Sequence, residues 1–238
     1  MKKLNLSAFA AIAVMSFVIL NGCIKNTPIE PAKPVSYVSV MNIALKAPAV
    51  ELLFNGEKVT PPINPGAYFT RFSSIEPGIR NVVFKKASSD SVVAELPPGQ
   101  LYDSSSFYTV LLYDNPSGGA LGARIKEAFP AADATKTHIR FFQLSADMPH
   151  VDLSVDNTKL FLDRTPADNI SNPSLNLFQA YAPGSYTLKA TVAGTDSVIA
   201  TTSFNDLVAG GIYTIFLRGV KGGSAATGFA VEVLRATN

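Results

Sequence analysis

The side chains best suited to chemistry gather in one short stretch, "DMPHVD" (147–152), where Asp147 and Asp152 flank His150. The only other histidine in the 238 residues is His138, twelve positions earlier. A metal centre needs three or four converging N, O or S ligands held by a second shell of hydrogen bonds. One His-Asp cluster without ligand spacing does not meet that requirement, so neither a metal nor a cofactor is expected. A serine hydrolase of the nucleophile-elbow type would place its serine in a strained G-x-S-x-G turn, and the sequence has none. "GGALGA" (118–123) and "KGGSAATG" (221–228) are glycine-rich, but each leads into a strand pattern. Neither opens a helix whose N-terminus would complete a phosphate cradle. No catalytic residue is expected, and a cryptic hydrolase using His150 is the remotest reading.

The single thiol points to an address. Cys23 sits in "VILNGCIKN" (18–26), after Lys2, Lys3 and an apolar run from Ala8 to Leu20. This is the layout of a secretory signal over 1–22, and the run falls short of the roughly 20 apolar residues that a membrane-spanning helix needs. Leu20, Asn21 and Gly22 before the cysteine resemble the lipobox of bacterial lipoproteins, which implies acylation of Cys23. Two or more acyl chains anchor stably where one does not. Residues 23–35 carry Pro28, Pro31 and Pro34, so they read as a tether extending about 3.1 Å per residue. Removing the signal takes Lys2 and Lys3 and no acid, leaving 18 basic residues against 18 acidic ones. Nucleic acid, which draws on clustered Lys and Arg, is therefore not an expected partner. The expected partners are the membrane, through the lipid, and an envelope protein or a glycan. The expected location is the bacterial envelope, on the outer membrane, with the periplasmic or surface side open.

Positioning comes from a repeated pattern. "EPGIRNVVFKKASSDSVVAE" (76–95) aligns with "APGSYTLKATVAGTDSVIAT" (182–201) at an offset of 106, and "APAVELLFNGEKV" (47–59) aligns with "MPHVDLSVDNTKL" (148–160) at 101. "FYTVLLYD" (107–114) and "IYTIFLRG" (212–219) complete the set. A period near 105 describes two similar domains, over 36–131 and 136–238, and excludes a solenoid of short repeats. Val50, Leu52 and Phe54 alternate ahead of Asn55-Gly56, a strong hairpin signal. Further strands are expected at 37–44, 67–73, 79–86, 91–95, 106–113 and 122–128. The fold class is all-β: two tandem antiparallel β-sandwiches, immunoglobulin-like or transthyretin-like.

"SADMPHVDLSVDNTKL" (145–160), "APGSYTLKA" (182–190) and "AGGIYTIFLRG" (209–219) resemble the domain-of-unknown-function 4397 family of bacterial exported β-sandwich proteins, often lipoproteins. The first copy departs with Ile79-Arg80 where Ser185-Tyr186 stand in the second. The resemblance implies fold and location and brings no active site.

What remains is binding. Trp is absent, so stacking on a sugar would fall to Tyr102, Tyr113 or Tyr181, the tyrosines read as exposed. The irregular stretch "DRTPADNISNPS" (163–174), with Asp163 and Asn169, is the candidate binding loop, because rigid sandwiches place function on loops. Ser91 and Ser197 follow Asp90 and Asp196 and precede valines, a pattern resembling an O-glycan acceptor; turn chemistry at a strand start is the better explanation. The expected function is a lipid-anchored, non-catalytic binding, adhesion or scaffold module, with an accessory carbohydrate-binding lipoprotein as the alternative.

Overall fold

The computed structural model describes residues 33–236. The signal segment, Cys23 and most of the tether lie outside the described residues. Of these, residues 34–236 belong to one compact unit.

The chain is all-β. Its first half runs β1 (Ser36–Asn42), β2 (Val50–Phe54), β3 (Glu57–Lys58), β4 (Ser73–Ile75), β5 (Gly78–Arg80), β6 (Val82–Lys86), β7 (Val92–Glu95), β8 (Gln100–Tyr102), β9 (Phe107–Asp114) and β10 (Ala120–Lys126). The second runs β11 (Thr137–Gln143), β12 (Val151–Val155), β13 (Thr158–Arg164), β14 (Gln179–Tyr181), β15 (Gly184–Val192), β16 (Val198–Leu207), β17 (Ile212–Arg218) and β18 (Ala230–Arg235). Between β13 and β14 lie a one-turn helix α1 (Asp168–Ser171) and a 3-10 turn (Pro173–Asn176).

The two halves share one strand order. Sheets β10-β9-β1-β4 and β3-β2-β6-β7 in the first half are matched by β18-β17-β11-β14 and β13-β12-β15-β16 in the second, with β5-β8 as an extra ribbon in the first. Pairing is antiparallel except for β1–β9 and β11–β17. In each parallel pair the chain passes through the opposite sheet before returning, so no hairpin dictates strand direction. An immunoglobulin sandwich groups its strands ABED against CFG. Lettering each half A to H, with β5 and β6 sharing E and β7 and β8 sharing F, gives DAGH against CBEF, which leaves the transthyretin-like arrangement of the two alternatives.

Local chemistry explains the main elements. Asn55 (φ 51°) and Gly56 (φ 87°) both take the left-handed conformation at the β2–β3 turn, as an Asn-Gly hairpin requires. The expected strand 67–73 is mostly irregular, touching β1 through the Met41–Tyr68 bridge and the Phe69 N–H donated to the Val40 carbonyl before β4 begins at Ser73. The expected 79–86 strand divides at Asn81, where its first part turns away to pair with β8.

Three hydrophobic cores result. Inward residues of each sandwich form two of them, built on Val40, Leu52, Phe84 and Val110 in the first half and on Phe141, Leu153, Leu188 and Ile215 in the second. The third lies between the halves, where Met41, Leu111, Tyr113 and Ile125 meet Phe142 and Phe216. The two inner sheets are therefore covered on both faces. That is why β1, β9, β11 and β17 are buried almost throughout, as runs without clean alternation should be.

Polar groups close this inter-half core. Arg140 and Glu127 form a buried ion pair with side chains 4% and 0% exposed. Arg140 Nη2 donates to Glu127 Oε1 at 2.9 Å, and Glu127 Oε2 lies 2.7 Å from Nη1 but off the hydrogen-bond axis. Arg140 also donates to the Thr214 hydroxyl and the Asn176 carbonyl, and its guanidinium lies 4.4 Å and 4.3 Å from the ring centres of Phe142 and Phe178.

Candidate functional site

His150 and Asp163 do come together: His150 Nδ1 lies 2.7 Å from Asp163 Oδ1, with both side chains exposed. Irregular register between β12 and β13 turns Asp163 outward with φ 49°, and Asp152 fixes it by accepting its backbone N–H at 2.8 Å. Asp152 also accepts from Gly194 N and lies 3.4 Å from Lys159 Nζ. Those hydrogen bonds and the lysine hold its carboxyl below the usual range against the opposing effect of burial. Asp147 turns elsewhere, to Lys46 Nζ at 2.7 Å and the backbone N–H of Lys221, with its carboxyl held below the usual range by both. Among the described residues no group of three or more His, Cys, Asp and Glu could hold a metal ion, and no hydroxyl or thiol hydrogen-bonds to His150 or to the Asp163 carboxylate. The pair is an exposed surface contact.

Two tyrosines read as exposed, and the loop candidate Asn169, are buried. Tyr113 is 0% exposed, in the core between the halves; the sheet that carries it is covered on its outer face too. Its hydroxyl finds no partner, and burial pushes its pKa up to about 12. Tyr102 is fully buried against Phe54 and Tyr108, with Arg124 over its ring, and desolvation raises its pKa. Asn169 is also buried: its Nδ2 donates to the Gln143 and Pro166 carbonyls, pinning the 163–174 segment to β11. That segment is a structural anchor, because α1 packs against β10 and β11. Tyr181 is half-buried, with its ring 5.3 Å from that of Tyr186. Ser91 and Ser197 are exposed beside tight turns. His138 is mostly buried in β11, opposite Ile212.

A mainly apolar recess lies elsewhere, in the first sandwich. A cavity of about 200 Å³ opens beyond the short strand β3, with Val38, Val40, Leu52 and Phe54 among its lining residues. Val59, Phe69 and Arg71 line it too and are exposed. A shallower recess shares Phe54, Val59 and Ile75 with it and carries Glu57, Glu76 and Arg80. Comparing the halves at the same offsets explains the space. The second places Phe141 and Phe161 in its core, 6.0 Å apart between ring centres. The first has Val40 and Thr60 at those positions, and Ile75 and Arg80 where the second has Tyr181 and Tyr186. The edge differs as well, since β13 runs seven residues where β3 stops after two. Pro61 and Pro62 follow Thr60, and proline lacks the N–H needed to extend the ladder. Thr60 turns its hydroxyl back to accept from Leu52 N at 2.9 Å. The result is a sandwich with missing aromatic volume and a short, open edge.

A family model described as "Domain of unknown function (DUF4397)" matches residues 36–154, from β1 to the penultimate residue of β12. The chain belongs to the DUF4397 family. No curated protein matches it. The matched span of this DUF4397 chain includes the whole cavity and His150, but stops short of Asp163. The cavity had a signal in the sequence, Thr60-Pro61-Pro62 aligned with Phe161-Leu162-Asp163 of the other copy. Reading it requires knowing that Phe161 points inward.

Proposed function

We propose that this DUF4397 protein is a non-catalytic binding module, exported and held on the bacterial envelope by lipid on Cys23, and that the first sandwich carries the binding site. The observation behind the binding role is the apolar cavity of about 200 Å³ at the shortened β3 edge. A concave, largely apolar recess with a few polar groups is the usual form of a small-molecule site. The second sandwich, with Phe141 and Phe161 in its core, then serves as a rigid support packed on the first. The carbohydrate alternative is weakened by the burial of Tyr102 and Tyr113.

Two experiments test the two parts. Thr60→Phe restores the aromatic of the other half and is expected to fill the recess, abolishing the enhanced fluorescence of an apolar dye that the wild type binds. Undiminished dye binding by a folded Thr60→Phe protein would refute the site. For the anchor, Cys23→Ala is expected to move the protein from the membrane fraction to the soluble fraction of the producing cells. Unchanged membrane association would refute lipidation at this residue, and protease shaving of intact wild-type cells tells the surface side from the periplasmic one.

A further inference from the structure

We propose that the recess of the first sandwich takes a small monocarboxylate with a hydrocarbon tail of about eight carbons, its acid group paired with Arg71. This inference rests on the binding reading above and adds the chemical class of the ligand.

Size sets the tail. An apolar cavity of about 150 Å³ stays dry and accepts benzene. Scaling six carbons by the ratio of volumes gives about eight for a recess of about 200 Å³. The apolar part of the lining suits hydrocarbon: Val40, Leu52 and Phe54 are each 6% exposed or less and offer no polar atom from their side chains. Of the two hydroxyl residues in the lining, Thr60 is already engaged with Leu52 N and Ser73 is exposed in β4.

Charge sets the head. Arg71 is the one charged residue lining the inner recess; its side chain is exposed and makes no ion pair among the described residues. The acids Glu57 and Glu76 lie in the outer recess with Arg80, whose Nη2 donates to the Glu76 carbonyl. Those acids disfavour a dianion such as a phosphate monoester, whereas a single carboxylate matches the planar fork of one guanidinium. An unpaired cation at the mouth of an apolar chamber is the arrangement an amphipathic monoanion complements.

The test is calorimetric titration of the full chain with straight-chain carboxylates from butanoate to dodecanoate, with 1-octanol as the neutral probe. Binding at one site is expected to tighten about fourfold per added methylene, from about 0.8 kcal/mol each, and to level off near octanoate. Octanoate should bind at least tenfold more tightly than octanol. Arg71→Ala, a surface change that leaves the core intact, should remove that preference and leave octanol unaffected, while Arg71→Lys restores it in part. Equal affinity for octanoate and octanol in the wild type overturns the acid assignment and leaves the apolar site standing. Tightening that continues to dodecanoate without levelling overturns the size assignment. If neither probe binds and the apolar dye also fails, the binding reading falls with it.

Discussion

Arg140→Leu is expected to cost about 3–5 kcal/mol of unfolding free energy, the range for removing one partner of a buried ion pair. The reason is the carboxylate left behind. The Glu127 side chain is fully buried and its remaining donor is the Thr109 hydroxyl, so without the guanidinium its charge is left with no paired cation. The variant also loses Arg140's donation to the Asn176 carbonyl and its seat between the rings of Phe142 and Phe178. Replacing both members, Arg140→Leu with Glu127→Leu, is expected to recover most of the loss, because the stranded charge goes too. Urea unfolding of the two variants beside the wild type measures both effects. A cost below about 1 kcal/mol for Arg140→Leu would mean that the two halves do not close over this pair in solution. The exposed ion pair Lys46–Asp147, which also joins the halves, is a useful control; such pairs contribute about 0–1 kcal/mol.

The strands and the two sandwiches were legible for a physical reason. Alternation marks the inward face, as Val50, Leu52 and Phe54 do even though all five residues of β2 are buried, and the Asn55-Gly56 turn imposes its own conformation. What alternation does not encode is which outer faces meet. Tyr113 lies among the odd positions of β9, which look solvent-facing when each half is read alone and are buried once the halves pack. The signal that was present is the unbroken apolar run from Val110 to Tyr113, the mark of a sheet covered on both sides. The candidate site followed the same logic. His150 and Asp163 were selected by residue type and do pair, because a strand irregularity aims one at the other. The cavity escaped because it consists of missing volume, Thr60 and Val40 where the other half has phenyl rings, and absent atoms have no periodicity. Asn169 was a candidate because it lies in the longest irregular stretch, and residue type does not encode that its amide satisfies two carbonyls.

The core between the halves leads to the second large effect. Phe216 is 0% exposed and packs there with Tyr68 of the first half in edge contact, their ring centres 5.9 Å apart. Truncating a buried phenylalanine costs about 3–5 kcal/mol through lost transfer energy and the cavity left behind. Because this core draws side chains from both inner sheets, the cost falls on the junction between the halves and not on one sandwich alone. The wild type is therefore expected to unfold in a single transition, with calorimetric and van't Hoff enthalpies that agree. Phe216→Ala should lower the midpoint and split the transition in two, since each sandwich keeps its own inner core while the contact between them weakens. Two separated transitions in the wild type, with Phe216→Ala shifting only one of them, would show the halves to be independent domains. The same result would remove the second sandwich as a rigid support for the cavity in the first. A single transition that splits on loss of one phenyl ring instead makes the junction the element that ties the two sandwiches into one cooperative body.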